Sequence, residues 1–238
     1  MSAHRRRCSY RYHDCKTSAI DHSNQTAGYY PCLNPNVFNP TDLNADDWME
    51  ASVAMGMKEI CLTAKHEGGF ALWPTNQTNN SVASSSWQGG QGNVLKEFVT
   101  SAKKYGIGIC YYCNVAADGW LTDVAKVDGK EFQKRQIAMI TELMEDYGPI
   151  NRFWFDGTSN HPKDLDVKAL WDETYQTIRT VSPSTIISPY RGDICASTGS
   201  LYTNNGPAPN TTDSSSCGKP SEAGQYFHPT EMHGITIQ

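Results

Sequence analysis

The sequence predicts an α/β fold of the (β/α)8 type, a TIM barrel. Predicted helices and strands alternate strictly along the chain, which is typical of crossover units around a parallel sheet. Connections from helix to strand are short, whereas the loops after the strands are long. This asymmetry favours a barrel with its site at the carboxyl ends of the strands. A doubly wound open sheet is the alternative, but no glycine-rich phosphate-binding sequence follows any predicted strand.

The individual elements follow from apolar periodicity and from residues that start and stop helices. Helix 45–55 has Asn44 as its N-cap and Gly56 at its end, and helix 93–105 has one apolar face and ends at Gly106. The other predicted helices are 131–147 and 167–181. Strands are predicted at 58–66, 107–114, 150–155 and 184–190, and loops at 67–92 and 198–224.

Composition and charge exclude several classes of protein. The chain has 238 residues, enough for one large domain, with 38% apolar and 19% charged residues, which is neither a disordered nor a membrane composition. The net charge is −5, and basic residues cluster only at 5–7, so neither nucleic acid nor a membrane is expected as a partner. No apolar segment follows these basic residues, so no signal peptide is predicted.

The eight cysteines fall into two groups. Five lie in the terminal segments and are typical of disulfides in a secreted protein: Cys8, Cys15, Cys32, Cys195 and Cys217. Three lie inside apolar runs and are predicted to be buried thiols: Cys61, Cys110 and Cys113. The last two are not predicted to form a redox motif, because residues three apart in a strand face opposite sides of the sheet.

A carboxylate stands at the end of one apolar strand. Residues 152–156 have the sequence RFWFD, and Gly157 follows at once. The strand carries Asp156 to the carboxyl edge of the sheet, where (β/α) barrels have their catalytic groups. Its alternative role is to cap the following turn. The strand-end position after three aromatic residues favours the catalytic role.

Three segments together resemble the α-L-fucosidases of glycoside hydrolase family 29. They are FNPTDLNADDWMEASVAMGMKEICLTAKHEGGFALWP at 38–74, GQGNVLKEFVTSAKKYGIGICYY at 90–112 and ELMEDYGPINRFWFDG at 142–157. The resemblance implies removal of terminal α-L-fucose from glycans with retention of configuration. It therefore implies a fucosylated oligosaccharide or glycoconjugate as the partner, and a reaction that needs no cofactor and no metal.

The resemblance implies a nucleophile and a histidine contact. Asp156 matches the nucleophile of the family's WFDG or WLDG motif. The family's KHHDGF is KHEGGF here: Lys65 and His66 are retained, whereas Glu67 and Gly68 replace a histidine and an aspartate. His66 is expected to bind fucose hydroxyls from the strand end, and its alternative is a buried core histidine. Glu67 is expected to face the pocket mouth, where it can bind a sugar hydroxyl, or to pair with Lys65.

Further residues are expected to line the sugar site. Tyr112 matches a tyrosine that lines the family's site, and its alternative is a core position. Trp73 and Trp154 are candidates for the apolar surface under the fucose ring and methyl group, with packing in the barrel interior as the alternative for Trp154. Arg191 follows a predicted strand and either stabilises ionised Asp156 or lies in a solvated loop.

The acid/base group has several candidates. Retaining hydrolysis needs a second carboxyl group roughly 5 Å from the nucleophile, protonated in the first step. In one subgroup of the family, the acid/base is a glutamate at a set distance after the nucleophile. This chain has Ser200 at that position, which cannot donate the proton. Glu231, in a tail segment similar to the family's, is the leading candidate, followed by Glu222 and Glu67. A metal site could be formed by His66, Glu67 and His161, but these residues do not have the sequence spacing that is typical of metal ligands.

The resemblance also sets the expected domain organisation. Residues 1–37 are expected to form a divergent N-terminal segment, and 38–238 a partial barrel catalytic domain. The barrel is expected to be incomplete, because the family's first strand, its last strands and its β-sandwich domain have no counterpart. A secreted or lysosomal/vacuolar location is implied by the family. The oligomeric state is not predicted.

Three functional hypotheses follow. The first is a retaining α-L-fucosidase that forms a fucosyl-enzyme on Asp156. The second is a catalytically impaired protein that binds fucosylated glycans, which is motivated by Ser200, Glu67 and Gly68. The third is a barrel glycosidase with another sugar preference, which galactoside hydrolysis would reveal.

Overall fold

A parallel sheet organises the part of the chain that the computed structural model describes, residues 35–156 and 160–188 with two short strands further on. The sheet has four strands in sequential order: β1 (Glu59–Lys65), β2 (Gly108–Asn114), β3 (Arg152–Asp156) and β4 (Ile186–Ser188). A separate parallel pair is formed by β5 (Cys195–Ala196) and β6 (Ser221–Glu222). Sequential parallel strands with a helix in each connection are the arrangement of a (β/α) barrel, as predicted.

In the part of the chain that the structure describes, four α-helices connect or precede these strands: α1 (Ala45–Ala54), α2 (Val94–Tyr105), α3 (Gly129–Asp146) and α4 (Val167–Val181). Each starts after an asparagine or aspartate whose side chain accepts a backbone N–H of the first turn: Asn44, Asn93, Asp128 and Asp166. The third helix begins two residues before its predicted start, because Asp128 supplies the cap. Helix α2 ends at Gly106, whose φ of +67° lies in the left-handed region that favours glycine.

Alternate residues of β3 lie on two faces of the sheet, one buried against the helices and one partly exposed. Phe153 and Phe155 are fully buried, and the ring of Phe155 meets Trp171 of α4 edge-on at 5.5 Å between centroids. Trp154 and Asp156 lie on the opposite face and are only half-buried. Because side chains alternate along a strand, one strand contributes to the core and to the site at once.

The cysteine prediction is wrong for two of the three strand cysteines. β1 and β2 pair in a register that sets Cys61 opposite Cys110, and the two form a disulfide. The sequence of one strand carries no information about its register with the next, so this pairing was not foreseen. Cys113 faces the other side of the sheet as a buried free thiol, as predicted, and burial raises its pKa to about 11.

The predicted loop 67–92 contributes to the core instead of covering the surface. It folds back on β1 through an antiparallel bridge between Lys65 and Ala71. Its apolar residues are buried: Phe70, Ala71, Leu72, Trp73, Val82 and Trp87. Of the predicted loop 198–224, only β6 belongs to the described residues. Within the described ranges, no helix has the length and apolar character needed to cross a membrane.

Candidate active site

The carboxylate of Asp156 lies at the carboxyl end of β3, held by a side chain of the neighbouring strand. The hydroxyl of Tyr112 on β2 donates a hydrogen bond to Asp156 Oδ2 at 2.7 Å. The register explains the contact, because Tyr112 pairs with Trp154, two residues before the aspartate on the same face. The carboxylate is half-buried, so it is oriented by the protein and is still partly open to solvent.

Aromatic rings from three adjacent strands meet beside this carboxylate. His66 follows β1 directly, and its ring stacks on Tyr112 with 5.6 Å between centroids and 10° between planes. Trp154 of β3 meets the ring of Tyr112 edge-on, at 5.2 Å between centroids and 83° between planes. The structure therefore brings together four residues that the sequence predicted for the site, namely Asp156, His66, Tyr112 and Trp154.

A buried ion pair supports the end of β1. Lys65 is fully buried, and its Nζ lies 3.1 Å from Asp118 Oδ2 in the loop after β2. Gln136 of α3 donates to the same oxygen at 3.1 Å. The partner of Lys65 is thus Asp118, and the alternative in which Glu67 pairs with Lys65 is wrong, because a loop residue outside every motif fills that position. No signal in the sequence marked Asp118.

Glu67 lies at the same edge of the sheet, next to His66. Its backbone carbonyl accepts a hydrogen bond from the N–H of Gly119 at 2.7 Å, which fixes the turn between β1 and the loop after β2. Its side chain is half-buried. The first alternative for Glu67, a position at the mouth of the site, is compatible with this placement.

Trp73 lies apart from the other predicted site residues. Its ring is fully buried, and its indole N–H donates to Glu142 Oε2 of α3 at 2.8 Å. The ring is in the core because the segment after β1 folds back under the helices. A fully buried ring offers no surface to a sugar, so the expected contact between Trp73 and fucose has no support in this geometry.

The remaining predicted residues lie largely outside the described part. Glu231, Arg191 and Ser200 fall on residues that are not described, and Glu222 is described only as backbone in β6. His161 is half-buried, with Nδ1 at 3.0 Å from the carbonyl oxygen of Pro162. Among the described residues, no group of three or more histidine, cysteine or acidic side chains is arranged to hold a metal ion.

Comparison with known proteins identifies the family. A family model described as Alpha-L-fucosidase matches residues 5–216. The chain belongs to the alpha-L-fucosidase family. Alpha-L-fucosidase 1 of Arabidopsis thaliana is 35% identical over 156 residues, which are 65% of this chain and 30% of that protein. The resemblance found in the three sequence segments is thereby confirmed.

Solved structures of alpha-L-fucosidase relatives agree with the fold. A putative alpha-L-fucosidase from Bacteroides ovatus matches 71% of this chain and 29% of its own, with 34% identity and a TM-score of 0.61. One from Bacteroides thetaiotaomicron matches 69% and 36%, with 29% identity and a TM-score of 0.62. The catalytic domain of this family is a (β/α)8 barrel, and the main sheet of this chain has four parallel strands in sequential order. The chain spans about 30% of the length of the Arabidopsis relative.

Proposed function

We propose that this protein is a retaining α-L-fucosidase that hydrolyses terminal α-L-fucose from glycans, with Asp156 as the nucleophile. One observation carries the proposal: in a chain of the alpha-L-fucosidase family, the carboxylate at the end of β3 accepts the Tyr112 hydroxyl at 2.7 Å. It is thereby oriented at the edge of the sheet where (β/α) barrels bind substrate.

The reaction has two steps. In the first, a carboxylate oxygen of Asp156 bonds to the anomeric carbon, the glycosidic bond breaks, and the acid/base carboxyl gives its proton to the leaving oxygen. In the second, the same group takes a proton from water, and the water oxygen displaces Asp156 to release fucose. We assign the acid/base role to Glu231 from the family resemblance, with Glu222 and Glu67 as the alternatives.

The sugar site that we propose surrounds Asp156. His66 and Tyr112, stacked on each other, offer polar atoms for fucose hydroxyls, and Trp154 offers an aromatic edge for the apolar side of the sugar. Glu67 adds a carboxylate at the mouth. Arg191 is proposed as a cation near the nucleophile from its position after the last predicted strand. The substrates are fucosylated oligosaccharides or glycoconjugates.

We also propose that the protein works outside the cytosol, either secreted or in a lysosomal or vacuolar compartment. The disulfide between Cys61 and Cys110 supports this proposal, because disulfides persist in oxidising compartments and are rare in the cytosol.

The decisive experiment measures release of p-nitrophenol from its α-L-fucoside. We expect Asp156→Asn to lower turnover by about 10³-fold or more, since the amide cannot form the glycosyl ester. With Asp156→Gly, azide should restore part of the turnover and yield the β-fucosyl azide, because it attacks from the vacated face. Asp166→Asn is the matched control, because asparagine caps α4 equally well. Turnover by Asp156→Asn close to that of the wild type would refute the assignment.

A binding protein for fucosylated glycans is the second candidate. The observation that favours it is the replacement of the family's second histidine and aspartate by Glu67 and Gly68. Calorimetric titration with fucose separates the two functions. Saturable binding without release of p-nitrophenol would establish the binding protein, and release from the galactoside instead of the fucoside would indicate another sugar preference.

A further inference from the structure

Asn114, the last residue of β2, links the ends of three strands. Its side chain is almost fully buried, with 1% of the residue exposed. With the amide oriented to suit its partners, Oδ1 accepts from the backbone N–H of Glu67 at 2.9 Å. Nδ2 then donates to the Tyr112 hydroxyl oxygen at 3.2 Å and to the backbone carbonyl of Asp156 at 2.8 Å. The amide therefore contacts the chain after β1 and the end of β3.

The bond from Asn114 to Tyr112 fixes the direction of the tyrosine hydroxyl. An amide NH₂ group can only donate, so the hydroxyl oxygen is the acceptor in this contact. The hydroxyl hydrogen is then available for the carboxylate of Asp156, 2.7 Å away, which can only accept. The three groups form a directed chain of hydrogen bonds that ends on the proposed nucleophile.

We propose that Asn114 is a positioning residue for glycosyl transfer, acting through the Tyr112 hydroxyl and the Asp156 backbone to hold the carboxylate in its attacking orientation. This proposal rests on the proposed function of Asp156. Attack on an anomeric carbon requires the carboxylate oxygen in near-contact geometry, and a displacement of about 1 Å costs on the order of 10²-fold in rate. A buried amide with three directed bonds provides such precision.

The test compares two asparagines that bridge the same two strands at opposite ends. Asn114→Leu keeps the side-chain size and removes every hydrogen bond. We expect kcat on the aryl fucoside to fall about 10²-fold, with little change in KM. Asn151 is the matched control at the start of β3: its Oδ1 accepts from the N–H of Ile109 at 2.9 Å, far from the site. Asn151→Leu should leave kcat per folded molecule unchanged.

A double-mutant cycle separates positioning from a general structural role. Tyr112→Phe removes the hydroxyl through which Asn114 acts, so adding Asn114→Leu to Tyr112→Phe should cost less than it costs in the wild type. A crystal structure of Asn114→Leu should show Tyr112 Oη moved from Asp156 Oδ2. Equal kcat losses for both asparagine variants, or fully additive losses in the cycle, would overturn the positioning role. Absence of turnover in the wild-type chain itself would instead overturn the proposed function.

Discussion

Two aspartates at the carboxyl edge of the sheet differ in how their carboxylates are surrounded. Asp118 is fully buried: Oδ2 accepts from Lys65 and Gln136, each at 3.1 Å, and Oδ1 accepts from the N–H of Leu121 at 3.0 Å. Asp156 is half-buried, and its Oδ2 accepts the Tyr112 hydroxyl at 2.7 Å. The Asp118 carboxylate is enclosed by donors to both of its oxygens, whereas the Asp156 carboxylate lies at the end of a strand and is partly exposed.

Enclosure distinguishes a carboxylate that only joins segments of the fold from one that can reach a substrate, which is the role that we propose for Asp156. An enclosed carboxylate cannot approach a sugar carbon, and its contribution is to join the end of β1 to the loop after β2 and to α3. A half-buried carboxylate on a strand end can reach a substrate while the neighbouring strand orients it. Asp118 follows the end of β2 and Asp156 ends the neighbouring strand β3, so residue type and approximate position alone do not distinguish the role that we propose for Asp156.

The largest expected effect is on the enclosed pair. Lys65→Met leaves the Asp118 carboxylate buried without its countercharge, and we expect the free energy of unfolding to fall by about 3–5 kcal/mol. Asp156→Asn removes a half-buried charge and should change that free energy by about 1 kcal/mol or less. Urea denaturation followed by tryptophan fluorescence measures both. The double variant Lys65→Met/Asp118→Asn should regain part of the loss, because no buried charge remains. Equal losses in the free energy of unfolding for Lys65→Met and Asp156→Asn would show that enclosure does not distinguish the two carboxylates.

A smaller effect tests how closely Asp118 is enclosed. A Cβ added at Gly69, where φ is +84°, would clash with Asp118 Oδ1. Gly106 has φ of +67° and no atom within 4 Å of such a Cβ, so it is the matched control for backbone strain alone. We expect Gly106→Ala to cost about 1–2 kcal/mol. Gly69→Ala should cost about 1–3 kcal/mol more, through the displaced carboxylate. Equal costs would show that the carboxylate moves away freely.

The sequence was sufficient for the parts of the molecule that local rules govern. The bounds of α4 follow from apolar periodicity between Asp166, which caps it, and the polar turn after Val181. The position of Asp156 follows from an apolar strand that ends in a charge, and the family motif places His66 at the end of β1. Each of these features depends on residues that are neighbours in the chain.

Features that depend on how distant segments meet were not predictable from the sequence. The Cys61–Cys110 disulfide depends on the register of β1 against β2, which neither strand encodes alone. The burial of Trp73 depends on a loop that folds back, although its composition is polar. Asn114 and Asp118 stand next to the site but belong to no motif, and only the three-dimensional arrangement assigns them partners.

The smallest expected effect concerns a third carboxylate, at the solvent-exposed contact between α1 and α2. Asp46 accepts from Lys104 Nζ at 2.6 Å and from the Ser101 hydroxyl. These hydrogen bonds, that of Lys104 first, hold the pKa of Asp46 below its usual 3.8. A lowered folded-state pKa means stabilisation that is present above pH 3.8 and is lost as the pH falls through the folded value.

Lys104→Met should therefore lower the urea midpoint slightly at pH 7 and have a smaller effect at an acidic pH below 3.8, where Asp46 is increasingly protonated in the folded state as well. Lys103→Met, on the exposed side of the same turn, is the control and should change the midpoint at neither pH. The Asp46–Lys104 contact is shorter than the Asp118–Lys65 contact, 2.6 Å against 3.1 Å, yet its loss should matter far less. Water and salt screen the exposed pair, whereas nothing replaces the lost partner in the core. An effect of Lys104→Met as large as that of Lys65→Met would show that distance, and not enclosure, sets the strength of these pairs.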